Sequence, residues 1–375
     1  MLNALSPPAT RRAALYAALI TCLGHSPLAR ALARKTLEFP RDHGAHPDFR
    51  IEWWYLTGCL NTAAGAASHG FQVTFFRSRV PSTQHLRSQL AAKQLVFAHA
   101  AVTDVRSGKL WHDQRIARSS GLPPGANAVD VAATGTQTTS VVLKDWSLQR
   151  QGDRLQARAS AENFDLHLDL QATQQLLLQG DQGLSRKGPQ PDQASYYYSQ
   201  PQLQVAGSVG VKGVQHTILT GSSAWLDHEW SQQMLHPSAV GWDWIGINLL
   251  DGGALTAFRL RTQDGAALWS GGSYRGQGAS RSFNPGEVAF TAGRTWQSPL
   301  SRAIYPVEWT VQTPIGRFTV RAVIDPQELD SSSSTGAIYW EGLSELWDHD
   351  ARLVGRGYLE MTGYAAPLRL NMDAP

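Results

Sequence analysis

The sequence predicts an all-β protein built as two tandem antiparallel β-barrel domains with few short helices. Runs of β-branched and aromatic residues of strand length recur, from Phe71 to Phe76, Leu95 to Val105, Leu255 to Leu260 and Phe318 to Ile324. Clusters of turn-forming residues separate them, as at Gly121 to Asn127 and Ser331 to Gly336. The chain of 375 residues, at a soft average of roughly 150 residues per domain, leaves room for two units behind a leader. A helix is expected only around Gln84 to Lys93, where Leu86 and Leu90 stand one helical turn apart.

Taken from the N-terminus, residues 1-33 have the order of an export signal peptide. Arg11 and Arg12 precede an apolar run from Ala13 to Leu23, and small residues follow at Ala29-Arg30-Ala31 and Ala31-Leu32-Ala33. The run is too short to stay in a bilayer as an anchor, so no stable transmembrane anchor is expected in the mature chain. The paired arginines suit the twin-arginine route, with Ala13-Ala14-Leu15 a loose match to its pattern. A periplasmic or secreted location follows, with contact to an export or transport system on the way. Thr21 is an unfavourable neighbour for acylation of Cys22, so a lipoprotein is not expected. Cleavage leaves Cys59 as the lone cysteine, which excludes an internal disulfide and cysteine-based metal binding.

Behind the leader, a first barrel is expected over 34-205 and a second over 206-375. The Gly-, Pro- and Gln-rich stretch from Asp181 to Gln193 lacks periodicity and reads as a connection or an excursion over a cavity mouth. A single large sandwich is the competing architecture. Charged residues make up 17% and the net charge is +3; the basic residues are scattered, which argues against nucleic acid as a partner. Thirteen tryptophans suit either a ligand cavity or a thick aromatic core.

Four segments could carry chemistry: Ile51 to Gly58, Phe71 to Arg77, Ala224 to Trp230 and Gly241 to Trp244. Side chains alternate along a strand, so Glu52 and Trp54 share one face and Trp53 and Tyr55 the other. The same rule sets Asp227 and Glu229 against Leu226, His228 and Trp230. Those three ionisable neighbours therefore cannot close on one ion without a bulge, and no metal or other cofactor is expected. Glu52 and Arg77 lie in apolar strands where an unpaired charge is costly, and they can pair with each other. Asp227, Glu229, Arg259 and Arg261 pose the same question later in the chain. A carboxyl kept dry and unpaired would have a raised pKa and could donate a proton near neutrality. No Gly-x-Ser-x-Gly elbow, phosphate-binding glycine loop or His-Glu-x-x-His motif occurs.

Glu52-Trp53-Trp54-Tyr55 with Thr57-Gly58, Gln72 to Arg77, Ser195 to Ser199 with Pro201, and Ala224 to Ser231 together resemble the carotenoid 1,2-hydratase (CrtC) and AttH-like lipocalin superfamily, which includes predicted secreted hydrolases. Gly241 to Trp244, Tyr305-Pro306 with Trp309, Tyr339-Trp340-Glu341-Gly342, and Gly357 to Glu360 with Thr362-Gly363-Tyr364 extend the likeness over about residues 38 to 370. The resemblance implies two lipocalin-like domains around an apolar ligand and, in the hydratase branch, addition of water across an isolated double bond. His228 and Trp230 match the hydratase His-Asn-Trp pattern, with Glu229 in place of Asn and Leu226 in place of a leading His. The strand Ala254 to Leu260 has no carboxyl where that branch places an acid.

The function expected is an exported protein that binds a hydrophobic isoprenoid or lipid-like small molecule, with hydratase-like addition of water to a C=C bond as its chemistry. A noncatalytic periplasmic lipid carrier and a secreted hydrolase using a carboxylate and water are the alternatives. Candidate proton-transfer residues are His228, Asp227, Glu229 and Glu52. Candidate ligand-binding residues are Trp53, Trp54, Tyr55, Gln72, Phe75, Arg77, Tyr197, Trp225, Trp230, Trp242, Trp244, Arg259 and Trp340.

Overall fold

The computed structural model describes residues 31–233, 235–276 and 279–368. Residues 1–30 of the expected leader, Cys22 among them, lie outside the described residues. Among the described residues no helix is long and apolar enough to cross a membrane.

Strands dominate, and they form two large antiparallel sheets. The first runs in the order Lys109–Ser119, Gln94–Asp104, Gly65–Arg79, Ile51–Thr62, Ser223–Ser231, Ala194–Val211, Phe164–Gln171, Arg154–Ser160, Trp146–Gln151, Ser140–Leu143, Ala132–Thr134. Its two edge strands approach each other, so the sheet curls into a nearly closed barrel. The second runs in the order Ser280–Phe283, Ala267–Arg275, Ala254–Arg261, Gly241–Leu249, Leu353–Met361, Ala337–Trp347, Gly316–Ala322, Glu308–Thr313, Ala289–Ala292. The all-β, lipocalin-like architecture expected from the strand pattern is the one observed.

Two details differ from expectation. The strand Ala194–Val211 runs through position 205, and Ser223–Ser231 lies between it and Ile51–Thr62 in the first sheet. The change of sheet therefore falls between Ser231 and Gly241, because the apolar run at Ala224 to Trp230 completes the first barrel. The helix expected at Gln84 to Lys93 is absent, apart from one short turn at Pro81–Thr83. Leu86 and Leu90 are exposed, and without a surface to bury, so short a pattern does not hold a helix. The Gln84 side chain instead donates to the carbonyls of Val80 at 2.8 Å and Lys93 at 2.6 Å, closing the segment as a loop.

The side-chain alternation decides what each strand touches. Trp54, Leu56, Phe71, Val73 and Phe75 fill the first barrel together with Trp146, Leu148 and Leu166. Their neighbours Tyr55 and Cys59 face the second sheet and join Trp225, Trp244, Phe258, Leu343 and Tyr358 in a layer between the sheets. The central strands are thus buried on both faces, which explains their near-continuous apolar composition. A third core, with Trp309, Trp340, Leu346 and Leu359, lies within the second sheet.

Close strand approach in that sheet needs Gly357, where a Cβ would stand 1.9 Å from the Gly246 carbonyl oxygen and 2.8 Å from the Ile247 Cα. Backbone cannot yield as a flexible side chain does. Gly357→Ala is expected to cost about 1–3 kcal/mol through overpacking, read as a lower midpoint in thermal unfolding.

Candidate functional site

The two faces of the strands Ile51–Thr62 and Ser223–Ser231 carry different ionisable clusters. Into the first barrel point Glu52, His228 and Trp230, where they meet residues from the loop before the first strand. Glu52 Oε2 accepts from Arg77 Nε at 2.8 Å, and Oε1 lies 2.7 Å from His46 Nδ1 and 2.9 Å from His228 Nε2. The Arg77 guanidinium also donates to the carbonyls of His46 at 2.8 Å and Phe49 at 3.0 Å. The His46 ring stacks on Trp230 at 3.8 Å. Burial alone would raise the Glu52 pKa, but the Arg77 charge and the two imidazoles outweigh it and hold the carboxyl well below the glutamate range. Burial pushes His228 down to about 4, against the pull of Glu52, so its ring is neutral near pH 7.

His46, Glu52 and His228 offer ligand atoms within 4.8 Å of one another, a grouping that sequence spacing does not reveal because His46 comes from outside the strands. The Arg77 guanidinium already balances the Glu52 charge, and the shared Oε1 accepts from both rings. The trio is a hydrogen-bonded network at the closed interior of the barrel.

The opposite faces line a cavity between the sheets, with a free volume of about 100 Å3. Trp53, Tyr55, Gln72, Thr74, Phe76, Tyr197, Asp227 and Glu229 come from the first sheet. Trp242, Trp244, Phe258, Leu260, Tyr339, Glu341 and Glu360 come from the second. The Asp181 to Gln193 excursion supplies Lys187, whose Nζ lies 3.0 Å from Glu229 and over the rings of Tyr197 and Phe258.

Four carboxyls and a single lysine thus border an aromatic space. Asp227 is buried, which raises its pKa to about 7, although Tyr197, Ser199 and Trp225 donate to it. Glu360 is likewise pushed by burial to about 7, against a 3.0 Å bond from Trp242 Nε1. Glu341 is raised well above the glutamate range, first by burial and then by the nearby Glu360; the Tyr55 and Tyr339 hydroxyls only partly offset this. Glu341 Oε1, the Tyr55 hydroxyl and Gln72 Oε1 are buried without a well-formed hydrogen bond. Three unsatisfied polar atoms around one cavity mark a place where a polar group of a ligand, or water, would be held.

Of the residues singled out from sequence, Trp53, Tyr55, Gln72, Tyr197, Asp227, Glu229, Trp242 and Trp244 line this cavity, and Trp225 supports it through Asp227. The others lie elsewhere. Glu52, His228, Arg77 and Trp230 belong to the inner network, and Trp54 and Phe75 pack in the first core. Trp340 points into the second core while its neighbours Tyr339 and Glu341 take the cavity. Arg259 pairs with Asp243 at 2.7 Å, as does Arg261 at 2.9 Å. In each case alternation along a strand buried on both faces sends the side chain to the other side. Glu341 and Glu360 fall in segments that carry the family likeness, but as acids inside apolar runs they are not marked there as cavity residues.

Two packed antiparallel sheets with an acid-lined cavity between them make a lipocalin-like protein. The AttH-like profile matches residues 30–364, and the chain belongs to the AttH-like family. A crystal structure assigned as AttH from Nitrosomonas europaea shares 46% identity with a TM-score of 0.80, covering 90% of this chain and 100% of that one. Kievitone hydratase from Nectria haematococca superposes with a TM-score of 0.63 at 16% identity, covering 90% and 98% of the two chains. CghA superposes with a TM-score of 0.51 at 13% identity, covering 84% and 88%. No curated protein matches.

Proposed function

We propose that the protein binds an apolar, unsaturated small molecule in the inter-sheet cavity and adds water to a C=C bond with Glu341 as the proton donor. The observation that carries this reading is a buried carboxyl, held by that burial well above the ordinary glutamate range, with an unpartnered oxygen among aromatic rings. Alkene hydration needs a proton delivered to carbon, stabilisation of the resulting cation, and a water to capture it. Glu341 supplies the first. The faces of Trp53, Trp242 and Trp244 suit the second through cation–π attraction. The third falls to a water held by the ionisable group opposite, with Asp227 or Glu360 taking up its proton, since both sit near half-ionisation at neutral pH.

The free volume is below the roughly 300–1,000 Å3 of pockets that enclose drug-sized ligands. A long isoprenoid would therefore enter with one end only. The hydratase named among the structural neighbours supports the chemistry as a parallel on a related fold. Export to the periplasm remains part of the proposal, on the leader pattern of residues 1-33, and N-terminal sequencing of protein from its native host tests it; an uncut leader would refute it.

The decisive experiment combines extraction of bound lipid, identified by mass spectrometry, with incubation of that compound in 18O-labelled water. Label is expected in a hydroxylated product. Glu341→Gln is expected to lower its rate by about 10²–10⁴-fold, the usual weight of a general acid. Ligand recovered unlabelled and unchanged would make the protein a carrier.

A further inference from the structure

Of the twelve large apolar side chains exposed among the described residues, five lie in two loops, Leu86 and Leu90 in residues 80–93 and Leu122, Val129 and Val131 in residues 120–131. Leu90 is 61% exposed and Val131 53%. The two loops adjoin. The first leads into the strand Gln94–Asp104 and the second follows its antiparallel neighbour Lys109–Ser119, with Gln94 opposite Ser119. Asn127 Nδ2 donates to the Gln89 carbonyl at 3.0 Å, from one loop to the other. Within the first loop Thr83 Oγ1 donates to the Ala92 carbonyl at 2.6 Å, beside the two bonds made by Gln84. The loop is thus closed by its own polar side chains and its leucines are left outside. Leucines and valines gathered on neighbouring loops gain nothing from water, and such a gathering marks a surface that meets an apolar partner.

The charges that accompany them have one sign. Arg79, Arg87 and Lys93 fall in residues 79–93, which hold no acid. Asp130, the acid of the second loop, is turned inward: its carboxyl is 3% exposed, accepts from the Ser120 amide at 3.0 Å and pairs with Arg118 at 3.4 Å. Bare leucines and valines accompanied by arginine and lysine suit a bilayer with anionic headgroups, where the apolar side chains enter the headgroup boundary and the cations stay among the phosphates. A second copy of the chain fits less well, because a two-fold contact would set the same cations against themselves.

The cavity reaches the same end of the first sheet. Glu229, Trp53 and Phe76 stand side by side on three strands and line it. Phe76 is four residues ahead of Val80, where the first loop begins, a distance of about 13 Å of strand. We propose that residues 80–93 and 120–131 dock the protein on an anionic lipid bilayer, with the five apolar side chains in the headgroup boundary and Arg79, Arg87 and Lys93 against the phosphates. Docking in this way brings the cavity end of the sheet to the phase in which an apolar ligand dissolves. It does not depend on the chemistry proposed for Glu341.

The test is flotation of the full chain with vesicles of phosphatidylcholine alone and of phosphatidylcholine mixed with an equal part of phosphatidylglycerol. The protein is expected to float with the anionic vesicles and to stay behind with the neutral ones. Salt at about 1 M, which shortens the screening length to about 3 Å, should release it. Leu86→Ser combined with Leu90→Ser, and separately Arg87→Glu combined with Lys93→Glu, should each weaken binding about tenfold or more, with circular dichroism checking the fold of both. Leu250→Ser, an exposed position in a hairpin turn of the second sheet, should bind as the native protein does. Failure to float with anionic vesicles, equal flotation with neutral ones, or native binding by either folded double variant overturns the docking. A native dimer in sedimentation that the leucine variant dissolves overturns it as well and makes the loops a contact between copies.

Discussion

Replacing Arg77 with methionine is expected to destabilise the protein by about 3–5 kcal/mol, measured as a lower urea midpoint at pH 7. Arg77 and Glu52 are both fully buried and 2.8 Å apart. The methionine would remove the cation while leaving a carboxylate among Trp54, Trp230 and two histidine rings, and the cost is that of an uncompensated buried charge. The pair also joins three pieces of chain, since the guanidinium holds the carbonyls of His46 and Phe49 as well. The sign of the pH dependence follows from the depressed Glu52 pKa. Its stabilising contribution is present above the ordinary glutamate value of 4.5 and is lost as pH falls towards the lower folded value. The native protein should therefore weaken on acidification below about pH 4.5, and Arg77→Met should lose most of that acid sensitivity. Glu52→Gln combined with Arg77→Met should recover part of the loss, because the unpaired charge goes with it. A single Arg77→Met protein as stable as the native one would show that the histidines alone satisfy Glu52.

Much of the fold is legible in the sequence because strand alternation is a local property. The opposite facing of Glu52 and Trp53, and of Asp227 and His228, follows from the residue order alone and is the one observed. What alternation does not reveal is which face meets which neighbour. The strands Ile51–Thr62 and Ala337–Trp347 are buried on both sides, so the polar-out signal that normally tells the two faces apart is missing. The sequence points to Trp340 as a ligand contact, whereas Tyr339 takes the cavity, a displacement of one residue that reverses the face. The same ambiguity hides Glu341 and Glu360, since an acid within an apolar run is compatible with a paired core charge. His46 is hidden for another reason. It lies in the irregular stretch ahead of the first strand, and only the tertiary fold brings it to Glu52 and His228.

Glu360→Gln is expected to make the protein more stable at pH 7 by about 3 kcal/mol, with little change at pH 4. Burial raises the folded Glu360 pKa from the ordinary 4.5 to about 7. A raised carboxyl contributes fully below the unfolded value, where both states hold the proton. As pH rises from 4.5 through 7 the unfolded chain ionises first, so stability falls. Glutamine keeps an oxygen for the 3.0 Å bond from Trp242 Nε1 and has nothing to ionise, so that loss disappears. Thermal unfolding of both proteins from pH 4 to 8 reads the divergence directly, and parallel curves would mean that Glu360 is ionised in the folded state. Asp227 and Glu341 impose losses of the same sign, which makes the cavity a cluster of acids that weakens the fold at neutral pH. A fold selected only for stability would replace such residues, as the apolar interior of the second sheet shows that it can. Their retention beside unpaired polar atoms is the pattern of a site in which stability is traded for a proton donor, and the activity of Glu360→Gln, measured with its stability, separates that acid's role from that of Glu341.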